Sequence, residues 1–220
     1  MNINALQKIR RQLAEKNAQL VAVSKTQPNE AVWALYEAGQ RVFGENRVQE
    51  LVAKHEALPK DIEWHLIGSL QTNKVKYIAP FVRLIHSVDS LRLLEEIDRQ
   101  AARCGRTIDC LLQIKIAREE TKQGMSPEEA RALLASAEYR ALRHVRLVGL
   151  MGMASFSEDE AQVRAEFRSL KTFFDAVRGA FFPDSAHFAV LSMGMSGEYA
   201  LALEEGSNMV RVGSLLFSDK

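Results

Sequence analysis

Cysteine is scarce, with Cys104 and Cys110 alone in 220 residues. No disulfide framework can therefore hold the fold, and two sparse thiols suit a reducing compartment. The sequence leaves a bridge between this one pair open, although a chain long enough for a large core does not need it. Excess charge of either sign is also missing: 29 Lys and Arg stand against 28 Asp and Glu, a formal net charge of +1. Such balance removes the case for nucleic acid or a membrane surface as partner. No apolar run approaches the roughly 18 residues of a membrane span. The N-terminal stretch MNINALQKIRRQLAEKN is amphipathic and has no apolar h-region, so it does not read as a signal peptide. A cytoplasmic protein is expected. Low-complexity tracts, linkers and charge blocks are absent too, so residues 1–220 read as one domain.

What is present is a regular alternation. After an opening helix near residues 3–17, short apolar and β-branched runs occur at 20–25, 41–45, 63–68, 82–88, 107–116, 146–154, 187–193 and 208–213. Helical patterns separate them. One stops at Gly39, and another opens at Ser126-Pro127-Glu128-Glu129 with proline in the first turn. Nearly continuous apolar strands are buried on both faces, as in a parallel sheet. Eight such βα units favour closure, so the expected fold class is α/β, a (β/α)8 TIM-type barrel with an extra N-terminal helix. A doubly wound open sheet is the alternative.

In such a barrel, chemistry sits at the C-terminal strand ends. Lys25 closes the first apolar strand, before Thr26 and Pro28. At a barrel mouth it would be partly desolvated, and desolvation raises the neutral, nucleophilic fraction of an amine, as a Schiff base requires. A lysine that merely snorkels outward is the simpler reading of this residue alone. The last two strands end in Ser192-Met193-Gly194-Met195-Ser196-Gly197 and Arg211-Val212-Gly213-Ser214. Loops after strands seven and eight are the recurrent phosphate site of this fold, where small residues let backbone N–H groups approach an anion. Together with the lysine, expected across the mouth, they suggest a phosphate-bearing carbonyl ligand. A strand histidine such as His65 reads as a hydrogen-bonded wall residue rather than a catalyst. The other histidines, His55, His86, His144 and His187, show no ligand spacing with the cysteines, so no metal site is expected.

Six segments in order, VAVSKTQP (21–28), FGENRVQE (43–50), WHLIGSLQTNK (64–74), EETKQG (119–124), LSMGMSGE (191–198) and MVRVG (209–213), give the chain its resemblance to the pyridoxal phosphate homeostasis protein family. That family is related to the N-terminal barrel of alanine racemase, and the match runs from about Leu20 to Phe217. The resemblance implies that pyridoxal 5′-phosphate is the cofactor and that Lys25 holds it as a Schiff base. It places the phosphate on Ser196 and the backbone around Gly213 and Ser214, Arg211 against the pyridine nitrogen, and Asn46 on the pocket wall. Lys122 matches a lysine implicated in passing the cofactor on.

The implied function is vitamin B6 homeostasis, in which the cofactor is held and exchanged with apo-enzymes, without strong catalysis; a monomer is expected. The alternative is a cofactor-dependent amino-acid racemase, which needs an acid/base on each face of the substrate. The second group of alanine racemase is a tyrosine supplied with the help of another domain. Here the chain closes with the barrel, and Tyr199 is the nearest substitute. Glu198, where aspartate is common, Ser218, in place of a frequent glycine, and Lys115 in the fifth strand depart from the family pattern.

Overall fold

The computed structural model describes residues 1–119 and 123–218. Its first helix, α1 (Ile3–Glu15), starts where the Asn2 side chain accepts the Ala5 N–H at 2.9 Å, filling one of the donors a helix start leaves unpaired. It buries Leu6, Ile9 and Leu13, one helical face. The alternation then runs β1 (Gln19–Val23), α2 (Asn29–Glu37), β2 (Val42–Glu45), α3 (Val48–Ala57), β3 (Glu63–Leu66), α4 (Val75–Ile78), β4 (Leu84–Val88), α5 (Leu91–Arg103) and β5 (Ile108–Ile114). It continues with α6 (Pro127–Ala135), α7 (Ala137–Ala141), β6 (Val145–Gly152), α8 (Glu160–Phe181), β7 (Val190–Ser192), α9 (Tyr199–Glu204), β8 (Met209–Val212) and α10 (Ser214–Phe217). The start read at Ser126-Pro127 is a full capping box: Ser126 accepts from the Glu129 N–H and Glu129 accepts from the Ser126 N–H.

Among the described residues, all eight strands are parallel and close in sequence order, β8 pairing back onto β1 with Val21 opposite Arg211 and Ala22 opposite Val212. The expected (β/α)8 barrel and its N-terminal helix are therefore both observed. Closure leaves no sheet edge to guard. The period-two alternation of strand side chains sorts them into two layers. Val21, Val42, Leu84, Leu111, Val148, Met151 and Met209 form a small inner cluster. The alternate residues, among them Leu20, Ala22, Phe43, Trp64, Cys110, Leu112 and Val210, join the helices in the large outer core. Fully buried Phe43, Trp64, Phe167 and Phe188 anchor that layer, each contributing about 1.5–3 kcal/mol by removal of apolar surface from water. Both cysteines are free: Cys110 is buried in this outer core and Cys104 is exposed. Among the described residues, no helix is long and apolar enough to cross a membrane.

Candidate cofactor site at the C-terminal mouth

β1 delivers the candidate lysine. Val23 ends the strand, and the Ser24 N–H continues the ladder to the Gly44 carbonyl at 3.0 Å. Ser24 is turned toward the helices, where its hydroxyl donates to Glu45 Oε1 at 2.6 Å and its carbonyl accepts from Lys54 Nζ at 2.6 Å. On the far side, Thr26 takes a left-handed φ of 62°, and its N–H donates to Glu50 Oε2 at 3.0 Å. The backbone is thus tied on both sides of Lys25. The side chain itself is exposed, and the expected partial desolvation is not found. The reason is local: Lys25 lies in a turn beyond the strand end, not within the packed strand.

β7 and β8 deliver the candidate anion cradle. Gly194, at φ 96°, bends the chain out of the barrel, and Glu198 Oε1 accepts the Met195 N–H at 3.0 Å to close the turn. This turn presents Ser196, whose Oγ accepts the Gly213 N–H at 3.2 Å. Ser214 opens α10, and its N–H, at the first helical position, has no intrahelical acceptor. Gly213 packs tightly on β1, since a Cβ there would stand 3.0 Å from the Val23 carbonyl oxygen. The expectation of a lysine across from the cradle is corrected by barrel closure. β1 and β8 are neighbours, so Lys25 emerges two residues past the strand residue against which Gly213 packs.

Between these loops Arg211 points into the barrel. Its Nη1 donates to Ser192 Oγ at 2.6 Å and its Nη2 to the Gly152 carbonyl at 3.0 Å. Burial lowers the guanidinium to about 10, opposed by nearby Glu198, so it is cationic at neutral pH. Behind it, His86 Nδ1 lies 3.1 Å from Ser192 Oγ, and His86 Nε2 lies 3.0 Å from His65 Nδ1. His65 is accordingly a hydrogen-bonded wall residue. Asn46 is half-buried at the end of β2, where the close approach of Gly68 fixes its backbone; a Cβ on Gly68 would lie 2.3 Å from the Asn46 carbonyl oxygen.

Lys115 is half-buried, and its N–H donates to the Met125 carbonyl at 2.9 Å. Lys122 lies outside the described residues. Tyr199 turns away from the mouth, its hydroxyl donating to Gln12 Oε1 on α1 at 2.7 Å. Sequence reasoning missed Ser192 as a partner of Arg211, His86 as a partner of Ser192, and Lys54 as the group that holds Ser24. The sequence placed Ser192 and Arg211 at the C-terminal ends of the last two strands, but no local signal joins them to His86.

The closed parallel barrel, with a lysine in the turn after its first strand, belongs to the alanine racemase N-terminal domain class, whose model matches residues 3–220. Within that class the chain belongs to the pyridoxal phosphate homeostasis protein family. It is 42% identical over 208 residues to the pyridoxal phosphate homeostasis protein of Aquifex aeolicus (strain VF5), covering 94% of this chain and 89% of that one. It is 39% identical over 202 residues to the protein of the same name from Helicobacter pylori (strain ATCC 700392 / 26695), covering 91% and 87%. Among solved structures, PipY of Synechococcus elongatus PCC7942 with PLP bound superposes with a TM-score of 0.88 at 38% identity, covering 99% of this chain and all of that one. Alanine racemase from Clostridium difficile 630, at 17% identity and a TM-score of 0.73, shares the fold.

Proposed function

We propose that this chain binds pyridoxal 5′-phosphate at the C-terminal mouth of the barrel, with its aldehyde condensed onto Lys25 as a Schiff base. Its phosphate sits on Ser196 and the N–H groups of Gly213 and Ser214, and Asn46 lines the wall. The protein holds this cofactor and exchanges it with apo-enzymes, as a monomer, without strong catalysis of its own. The observation that carries the reading is the Ser196–Gly213 contact on the strand adjoining the Lys25 turn. The donors fit the group: a hydroxyl and backbone N–H groups suit a dianion, while the nearby carboxylate, Glu198, is engaged by the Met195 N–H. The PLP-bound PipY and the names of the curated relatives support the same ligand.

When bound, the cofactor supplies an electrophilic aldehyde and, if its ring nitrogen is protonated, an electron sink. The Arg211 guanidinium, which the family resemblance sets against that nitrogen, would disfavour the protonation and so weaken the sink. Lys25 binds, Ser196 orients, and the exposed mouth lets a competing amine reach the site. A racemase reading needs a second proton-transfer group facing Lys25, and Tyr199 is engaged elsewhere. Lys122 is proposed, on family resemblance, to help pass the cofactor on.

The test is transfer. Loaded protein mixed with an apo-enzyme that uses pyridoxal 5′-phosphate is expected to restore its activity, with matching loss of the carrier's absorption band. A chain that stays colourless with excess cofactor, or that racemises alanine at an enzyme's rate, contradicts the proposal.

A further inference from the structure

We infer that Ser192 and His86 are positioning residues for Arg211, the first two links of a one-way hydrogen-bond chain that crosses the barrel interior from Arg211 to His65. The inference rests on the proposed placement of Arg211 at the cofactor ring, and it adds what holds the guanidinium there.

The direction of the chain follows from donor and acceptor chemistry. A guanidinium only donates. Its Nη1 is 2.6 Å from Ser192 Oγ, so the hydroxyl oxygen accepts and its own proton is left for another partner. That partner is His86 Nδ1, at 3.1 Å. To accept there, the His86 ring carries its proton on Nε2, 3.0 Å from His65 Nδ1. His65 Nδ1 then accepts in turn, and its proton also sits on Nε2. The reverse order would have the buried Ser192 hydroxyl accept from both Arg211 and His86 and leave its own proton without an acceptor.

The surroundings agree with two neutral rings. Burial dominates at both: His65 is pushed down to about 3, with Arg83 adding to the effect, and His86 well below its ordinary value, with His65 and Arg211 adding. A second proton on His86 would aim an N–H at a hydroxyl oxygen already accepting from Arg211, leaving that hydroxyl's own proton without its acceptor. The far end of the chain reaches the N-terminal mouth, where His65 lines a cavity of about 280 Å³ beside the Arg83–Asp109–Arg146 ion cluster.

The consequence for the site is orientation. Ser192 and the Gly152 carbonyl each take one terminal N–H of Arg211, one on either arm, and this fixes the guanidinium plane. The remaining N–H groups keep a defined direction for a ligand. His86 fixes the Ser192 hydroxyl, so its loss frees that rotor and loosens Arg211 without touching any ligand.

The test has one arm without cofactor and one with it. Nitrogen-15 NMR of the histidine-labelled, cofactor-free full chain is expected to show both His65 and His86 neutral at neutral pH with the proton on Nε2. A proton on Nδ1, or an imidazolium at either ring, overturns the chain. In the loaded protein, His86→Phe is expected to shift the cofactor's visible absorption band in the same direction as Arg211→Met. His86→Gln, whose amide can both accept and donate, is expected to return the band toward wild type. A His86→Phe spectrum identical to wild type, alongside a shifted Arg211→Met spectrum, overturns the positioning role. An unshifted Arg211→Met overturns the placement of Arg211 at the ring, a failure separable from the NMR result.

Discussion

Lys54 Nζ lies 2.6 Å from Glu45 Oε1 and 2.6 Å from the Ser24 carbonyl oxygen, with both charged side chains out of solvent, so the residue before Lys25 is fastened to α3 by a buried ion pair. Burial raises the Glu45 carboxyl, and hydrogen bonds from Lys54 and Ser24 oppose the rise. Among the described residues its second oxygen has no hydrogen-bond partner, so the site depends on Lys54 as its cation.

Removing that cation strands a buried carboxylate. Lys54→Met is expected to destabilise the fold by about 3–5 kcal/mol, read from urea or thermal unfolding. The double substitution Lys54→Met with Glu45→Leu is expected to recover most of the loss, because neither charge is then left unpaired. A single-mutant loss near zero contradicts the pairing.

The two barrel histidines make stability acid-sensitive. Both are depressed in the folded state, His65 to about 3, while the unfolded chain has the ordinary value of 6.5. The unfolded state therefore binds more protons below that value. Stability contributed by keeping the rings neutral is complete above it and falls with acidity, by up to about 1.4 kcal/mol per pH unit for each histidine. The unfolding midpoint measured from neutrality to about pH 5, above the ordinary carboxylate range, is expected to decline, and less steeply in His65→Gln. A flat profile contradicts buried neutral histidines.

The cradle makes a prediction about affinity. Ser196→Ala removes one hydroxyl donor to a charged group, worth about 1.5–3 kcal/mol, or about a tenfold to hundredfold weakening of cofactor binding. Equilibrium dialysis measures it, and inorganic phosphate as competitor is expected to lose effect in parallel. Unchanged affinity places the phosphate elsewhere.

Much of the fold was legible because its determinants are local. Every strand read from apolar runs is present, and Ser126-Pro127 marks its helix start through a hydrogen bond only three residues long. Lys25, Ser196, Arg211 and Gly213 could be placed at the mouth because they stand at or just past the C-terminal ends of strands in a parallel barrel. What the sequence could not give depends on contacts between distant strands. Ser192 and His86 are 106 residues apart and meet only when the barrel closes, and the Gly213–Val23 approach requires β8 to return to β1. The exposure of Lys25 was misjudged for a similar reason, since no pattern tells whether the last residue of an apolar run is packed in the strand or free in the turn after it. Glu45 and Asn46 are neighbours at the end of β2, yet Glu45 is buried against Lys54 of α3 while Asn46 is only half-buried.

The central claim is that one lysine carries the cofactor, and borohydride reduction followed by peptide mass mapping reads it directly. Wild-type protein loaded with pyridoxal 5′-phosphate is expected to give a single reduced adduct on the peptide containing Lys25, and Lys25→Ala is expected to keep the fold and lose that adduct. A full-stoichiometry adduct on another lysine in the variant would contradict the account.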